Sequence, residues 1–245
     1  MKKYTRNLVT VCLLLFTLTL NAQDANSKWL SAMGGLNSNW IIYQNAYGNP
    51  EIEYSTTFGL TGGLGLNYFL NDIWGVSASL FGSKMGQNYA GVQSGGDAER
   101  KVKLTYLEIP FVIMKNIPYA NNPTWISFGP DIMVLMNAQQ EYKRTGGNEL
   151  PNPLGPDGSE TMKTGDVRNR FNSTDVALTF ALNKMYKIEG ANDAMFVFSF
   201  NTSFGLTDIN DIEWRIPQLD GTYTGSHNFY IGLKAGLMFK VSRDK

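Results

Sequence analysis

The chain has 245 residues, of which 43% are hydrophobic and 17% charged, and its 21 basic residues balance its 21 acidic residues. This length allows one large domain, and the neutral balance excludes a polybasic surface for nucleic acid. A single cysteine, Cys12, excludes a disulfide framework.

The N-terminal segment has the composition of a secretory signal peptide. Three basic residues precede an apolar run from Leu8 to Leu20, and Ala22 supplies a small residue at which a signal peptidase would cut. The run is shorter than the roughly 20 apolar residues of a membrane-spanning helix. We therefore expect residues 1–22 to be a signal peptide and residues 23–245 to form one exported domain.

Alternation with a period of two predicts eight β-strands in the exported domain. In residues 58–70, bulky apolar residues occupy one parity and mainly small residues occupy the other. Asn71-Asp72 then predicts a tight turn, after which the alternation resumes at Trp74. The predicted strands lie near residues 29–40, 58–70, 74–80, 107–113, 126–136, 176–182, 196–206 and 229–239.

The predicted connections alternate in length. Long segments rich in Gly, Asn, Asp and Pro lie near residues 41–57, 86–102, 141–169 and 208–226, and short ones near 71–73, 116–124 and 184–194. An up-and-down barrel of an outer membrane has short periplasmic turns and long extracellular loops.

The small-residue parity decides between two kinds of barrel. A soluble, lipocalin-like barrel would place the bulky side chains inside and the small residues in water. A water-exposed surface carries roughly a quarter to a third charged residues, yet this parity has no charge within residues 59–69, 75–79 and 197–205. Eight strands leave a lumen too narrow for the bulky set. We therefore predict that residues 23–245 form an outer-membrane β-barrel domain, an all-β, eight-stranded antiparallel up-and-down transmembrane β-barrel whose bulky face points outward into lipid.

Aromatic residues at the strand ends predict a membrane boundary. Tyr68 and Trp74 flank the first short turn on the outward parity, and Phe239 ends the last strand. Because amphipathic rings favour the headgroup level, these three residues are assigned to an interfacial girdle. Trp125 begins a strand at the same level but falls on the inward parity.

Four charged residues fall on the inward parity: Glu108, Asp131, Asp175 and Lys234. Charges inside a low-dielectric lumen must be paired or hydrogen-bonded. We expect a salt-bridge network that fills and stiffens the lumen, with a proton or ion path as the alternative. Pro110 lacks an amide donor and predicts a β-bulge beside Glu108, because a closed barrel has no edge.

The sequence contains no recognisable catalytic or cofactor motif. It lacks a close cluster of metal ligands, and Gly59–Gly65 fits neither phosphate-binding glycine pattern. His227 with Asp208 or Asp211 would suit a loop-sited hydrolase only if a further group oriented the pair. We therefore predict a non-enzymatic protein with no catalytic residue, cofactor or metal.

The strand KLTYLEIPFVIMKNI, residues 103–117, resembles the Tyr-Leu-Glu-Ile-Pro-aliphatic-Lys strand of the PorT-like outer-membrane β-barrel proteins of Bacteroidetes. Asp131 departs from the family's pattern where an aromatic residue is expected, and Asp208 stands where Asn is frequent. The resemblance implies an eight-stranded outer-membrane barrel. It does not carry a role, because the namesake is linked to type IX secretion while many relatives have no assigned activity. Further matches follow in the family's order at residues 127–139, 171–182, 203–210 and 228–240.

These observations predict a bacterial outer-membrane location and long extracellular loops that present a surface to partners. The expected partners are outer-membrane lipid, the barrel-assembly machinery during insertion, and an envelope or secretion-system protein, with no role for nucleic acid. The alternative function is transport of a small solute or a hydrophobic molecule.

Overall fold

Antiparallel strands form almost all of the regular structure in the computed structural model, which describes residues 27–43, 52–117, 123–148, 154–217 and 221–241. The predicted signal peptide lies outside these residues. The ten strands are β1 Ser27–Ile42, β2 Glu53–Ser55, β3 Phe58–Phe69, β4 Trp74–Gln93, β5 Gly96–Asn116, β6 Thr124–Thr145, β7 Gly165–Asp166, β8 Thr174–Ile188, β9 Ala191–Gly205 and β10 His227–Lys240. Two short 3₁₀ helices, Arg168–Arg170 and Ile212–Trp214, lie in the connections. No helix within the described ranges is long and apolar enough to span a bilayer.

The strand pairings run in a closed circuit through eight of the ten strands. Seven pairings join these strands in chain order. The circuit closes where β1 pairs with β10, from Trp29 opposite Lys240 to Ile42 opposite His227. A closed sheet satisfies its backbone groups internally, as a bilayer requires. Strands β2 and β7, which the alternation did not predict, have three and two residues and pair with the outer parts of β4 and β6.

The short connections and both described chain ends lie at one end of the barrel. This end contains the connections 70–73 and 189–190 and the ends of β5 and β6 at Asn116 and Thr124, and Ser27 lies there opposite Phe69. In an outer-membrane barrel this end faces the periplasm.

The segment near residues 86–102 is not the long loop that the sequence analysis predicted. Strands β4 and β5 continue through it to a two-residue turn at Ser94-Gly95. Both turn residues have positive φ, 46° and 78°, as the mirror-image hairpin turn requires. The glycines and charged residues that indicated a loop are therefore compatible with a hairpin that extends beyond the membrane.

The predicted orientation of the two strand faces is confirmed. On β3, Phe58, Leu60 and Leu64 are 69%, 60% and 57% exposed, whereas the alternating Thr61 is 5% exposed and Gly65 is buried. Bulky apolar residues therefore cover the outside of the barrel, where hydrocarbon can solvate them.

Large apolar side chains nevertheless fill both ends of the lumen, which the sequence analysis did not predict. The outer parts of β4, β5 and β6 rise above the membrane, and there their inward face excludes water as in a soluble protein. The extracellular cluster includes Met85, Val102, Leu104, Met133, Leu135 and Phe171, and the periplasmic cluster includes Trp29, Met114, Trp125, Met185 and Met238.

Candidate functional site

The middle of the lumen holds three of the four predicted charges. Glu108 on β5 and Asp131 on β6 are 0% and 1% exposed, and Lys234 on β10 is 8% exposed. Pairing places Asp131 opposite Pro110, two residues from Glu108 on the same strand. Both carboxylates lie within electrostatic range of Lys234. Among the described residues, however, no ion pair within 4.0 Å joins these groups.

Two aromatic rings lie near the Lys234 ammonium group. Its Nζ lies 4.3 Å from the ring centroid of Phe81 and 5.8 Å from that of Tyr230. The Tyr230 hydroxyl donates to Glu108 Oε2 at 3.4 Å. The desolvated cation is therefore stabilised by ring faces as well as by the two carboxylates.

Asp175 has its own polar environment near the extracellular end. Its Oδ1 accepts from Thr207 Oγ1 at 2.5 Å, and its Oδ2 accepts from Asn228 Nδ2 at 3.0 Å. Asn228 Nδ2 also lies 3.1 Å from the hydroxyl oxygen of Tyr106, to which it donates. The structure thus brings Glu108, Asp131 and Lys234 together and holds Asp175 in a separate set of hydrogen bonds.

A cavity of about 90 Å³ lies against Lys234, and its lining combines hydroxyl and amide side chains with methionines and other apolar side chains. A water molecule occupies about 30 Å³ in the liquid, so the cavity has room for a few waters. Its polar lining includes Ser31, Asn67, Ser79, Ser127, Asn183 and Ser199.

A plug of aromatic and methionine side chains closes the periplasmic end of the lumen. Trp29 and Trp125 are each 5% exposed, and the rings of Phe69 and Trp125 are 4.7 Å apart between centroids. Trp125, which did not fit the outward girdle, is therefore part of this plug. A recess of about 320 Å³ lies against it, lined by Trp29, Phe69, Trp125, Met185 and Met195 among others.

The predicted girdle residues lie on the outward face at the periplasmic edge. Trp74 and Phe239 are 43% and 47% exposed, and Tyr68 is partly buried. A second aromatic set, which the sequence analysis missed, lies on the same face at the extracellular end. There the rings of Trp40 and Phe229 are 5.4 Å apart, and those of Phe229 and Phe204 are 6.4 Å apart. The sequence could have predicted this set, because all three residues occupy the bulky parity near the extracellular ends of their strands.

Pro110 does not mark a β-bulge. The pairing of β5 with β6 keeps the same register from Pro110 opposite Asp131 to Ile113 opposite Phe128. The register shifts between Thr105 and Tyr106 instead. There Met136 is the extra residue, where β6 passes from the apolar band to the extracellular extension.

The two extracellular segments that follow β6 and β9 are tied to each other. Arg170 is fully buried, its Cζ lies 4.4 Å from the Trp214 ring centroid, and its Nη1 donates to the carbonyl of Thr161 at 2.6 Å. The backbone N–H of Asp211 in turn donates to the Arg170 carbonyl at 2.9 Å. The described parts of these two segments thus form an ordered cap above the barrel.

Asp208 organises the segment after β9. Its carboxylate accepts from the backbone N–H of Asn210 and of Ser226, each at 3.0 Å, and from the Tyr223 hydroxyl at 2.6 Å. It also pairs with Arg215 Nε at 2.9 Å. Burial, and next the hydrogen bond to Asp208, raise the pKa of Tyr223 above its ordinary value, so the phenol remains a donor.

The Asp–His pair considered from the sequence is not assembled. The His227 ring stacks on Phe204, with 6.0 Å between centroids. No hydrogen bond or ion pair between His227 and Asp208 or Asp211 is present in the described part of the chain. Nor do the described residues contain a group of three or more His, Cys, Asp or Glu side chains placed to hold a metal ion.

Comparison with known proteins gives one family match and several distant structural similarities. Residues 21–211 match the model of a family described as "Outer membrane protein beta-barrel domain". No curated protein sequence matches the chain significantly.

Three solved structures illustrate the structural similarity. The outer membrane protein OprG from Pseudomonas aeruginosa is 10% identical, with a TM-score of 0.47 over 91% of this chain and 99% of that one. Neisserial surface protein A is 11% identical, with a TM-score of 0.43 over 89% and 100%. The outer membrane protease OmpT from Escherichia coli is also 11% identical, with a TM-score of 0.38 over 92% and 100%.

Proposed function

The chain belongs to the outer membrane protein β-barrel domain family, and we propose that it is a non-enzymatic barrel with a closed lumen whose extracellular cap binds an envelope or secretion-system protein. The protein is located in the bacterial outer membrane. The surface in question is the extracellular end of the barrel.

The observation that carries the proposal is the apolar core inside the extracellular extension. Strands β4, β5 and β6 have 20, 21 and 22 residues, about twice the 9 to 11 that cross a bilayer. Leu104 and Leu135 fill the lumen of this extension, each 1% exposed. A conduit would require a polar, open lumen at this level. A core with an ordered cap supports a binding role instead.

A shortened β4–β5 hairpin tests this role. Asn88 and Lys101 lie opposite each other, so Asn-Gly in place of residues 89–100 would join them by a tight turn. We expect the variant to insert as a barrel with heat-modifiable gel mobility, while the envelope partner that crosslinks to the wild-type cap is lost. Unchanged crosslinking of that partner would contradict the proposal.

As part of this proposal, we assign the protein to the PorT-like barrels and to a role in type IX secretion. The assignment is supported by the Tyr106–Pro110 segment, in which Tyr106 and Glu108 point into the lumen and are buried. In a bacterium with type IX secretion, deletion of this protein should reduce the export of type IX cargo. Normal export would reject the secretion role and leave an envelope role to be tested by the hairpin variant.

A second candidate function is the binding or transport of an apolar small molecule. The recess at the periplasmic mouth favours it, because Trp29, Phe69 and Trp125 offer aromatic surface there. A brominated alkane that binds this recess should quench tryptophan fluorescence in the wild type more than in Trp125→Ala. Equal quenching in both proteins would remove this candidate.

A further inference from the structure

Three lysines lie on the outward face at the periplasmic edge of the barrel. They are Lys28 on β1, Lys115 on β5 and Lys184 on β8, and all three are exposed. Two positions further into the membrane, each strand carries an exposed apolar residue: Leu30 at 42%, Ile113 at 60% and Leu182 at 40%. A lysine side chain in this position lies along apolar surface and carries its ammonium group to the headgroup level.

Each of these lysines has an aromatic neighbour. Lys115 Nζ lies 5.4 Å from the ring centroid of Trp74, and Lys184 Nζ lies 5.7 Å from that of Tyr186. Lys28 lies directly opposite Tyr68 in the β1–β3 ladder. A ring face covers one side of an ammonium group and leaves other N–H donors free to bind an anion.

The counter-charges of these lysines are not within the described protein. None of its carboxylates lies within 4.0 Å of the three ammonium groups, whereas two extracellular lysines, Lys101 and Lys103, pair with Glu99 and Glu141. Two acidic residues at this end of the barrel, Asp72 in the β3–β4 turn and Glu189 in the β8–β9 turn, are exposed on their turns. The strand order distributes the three Lys–aromatic pairs around the circumference.

We propose that these three Lys–aromatic pairs bind the phosphate groups of anionic phospholipids in the periplasmic leaflet. Each ammonium group donates hydrogen bonds to a phosphate, and the acyl chains of the same lipid pack against the apolar residue two positions into the membrane. The ring holds the ammonium group at the depth of the phosphate. The inference depends on the outer-membrane location and not on the extracellular role proposed above.

Reconstitution in vesicles of defined composition tests the proposal. The wild type is refolded into phosphatidylcholine vesicles with and without phosphatidylglycerol, and the urea midpoint of unfolding is measured. The test variant is Lys28→Gln/Lys115→Gln/Lys184→Gln. The matched control is Lys84→Gln/Lys101→Gln/Lys143→Gln, which removes the same charge from the extracellular end.

We expect phosphatidylglycerol to raise the midpoint of the wild type and the control equally, and to raise that of the test variant much less. Native mass spectrometry should show that the preference for phosphatidylglycerol over phosphatidylcholine falls roughly fivefold for each lysine removed. High salt should abolish the wild-type shift by screening. If the triple variant fails to fold, each single variant should lose about a third of the shift, because these contributions are independent at separated sites.

Two results would overturn the proposal. One is an equal phosphatidylglycerol shift in the test and control variants. The other is an equal rise of the midpoint when inorganic phosphate is added to phosphatidylcholine vesicles, since the ligand would then be the free anion and not a lipid.

Discussion

At the scale of single residues, one lysine and two carboxylates face one another in the middle of the lumen. Lys234 supplies the positive charge that faces Glu108 and Asp131, and all three are buried. The stiffening role of the predicted salt-bridge network stays a prediction, because no ion pair within 4.0 Å joins these three groups. Removing one partner of such a set leaves buried charge uncompensated, which destabilises more than removing the whole set.

Lys234→Met is therefore expected to lower the free energy of unfolding by about 3–5 kcal/mol. The measurement is urea unfolding in vesicles, followed by tryptophan fluorescence. The compensated variant Lys234→Met/Glu108→Gln/Asp131→Asn should recover most of the loss. If the single variant is as stable as the wild type, the cluster does not stabilise the barrel through charge compensation.

Asp157 gives a prediction about pH in the extracellular cap. Hydrogen bonds from the side chain and then the backbone N–H of Ser159 lower the pKa of Asp157 to about 2. A lowered pKa means that the ionised form stabilises the local structure above the ordinary pKa of about 4, and that this contribution is lost as pH falls toward 2. Asn169 Nδ2 donates to the same carboxylate at 2.8 Å.

Protease cleavage within residues 154–173 should therefore accelerate between pH 4 and pH 2 in the wild type. An acid-stable protease such as pepsin provides the measurement. Asp157→Asn, which does not titrate, should show a much flatter dependence over the same range. Identical pH profiles for the two proteins would show that this carboxylate does not control the loop.

At the scale of strands, glycines on the two faces have different roles. A Cβ added to inward-facing Gly63 would lie 2.0 Å from the Leu80 carbonyl oxygen, whereas at outward-facing Gly62 the nearest atom, the Met33 carbonyl oxygen, is 3.7 Å away. Gly63 thus permits a close backbone approach between β3 and β4. Gly62 has no comparable steric requirement within the chain.

Gly63→Ala is expected to destabilise the barrel by about 1–3 kcal/mol or prevent its folding, because the added methyl group forces the backbones apart. Gly62→Ala is the matched control and should change stability by less than about 1 kcal/mol. Heat-modifiable gel mobility and urea unfolding measure both variants. Equal stability of the two would show that the β3–β4 approach tolerates a side chain.

The strands β4, β5 and β6 are longer in the structure than the alternation of apolar residues predicted. Alternation located the membrane-crossing parts of the eight long strands, because the parity that faces lipid is continuously apolar. It failed above the membrane, where the outward side of β5 becomes charged at Lys103 and Lys101 while the inward side stays apolar at Leu104 and Val102. The reversed polarity resembled a loop in the sequence and is a strand in the structure.

At the scale of the whole molecule, two layers of apolar side chains fill the lumen, one near each end of the barrel. The periplasmic plug around Trp125 and the extracellular core around Leu104 lie on opposite sides of the cavity beside Lys234. An eight-stranded barrel has an interior just wide enough for its own side chains. The barrel therefore encloses a small cavity with a partly polar lining between two apolar layers.

The wild type should show no stable open channel in planar bilayers. Trp125→Ala should also remain closed, because the extracellular core still blocks the lumen. This variant tests whether the periplasmic plug is the layer that prevents conductance, because it weakens the plug and leaves the extracellular core intact. A stable unitary conductance in the wild type would favour the transport alternative over the closed barrel.

The sequence by itself determined the all-β class, the outward orientation of the bulky face and the parity on which the four lumen charges lie. Each of these follows from period-two alternation, which is a local property of an extended chain. Only the tertiary structure decided that Lys234 lies near Glu108 and Asp131 but apart from Asp175. It alone also revealed that Trp125 plugs the lumen and that residues 86–102 form a hairpin. These features depend on which strands lie across the lumen from one another, and the distance across a closed barrel is fixed by its strand number and stagger.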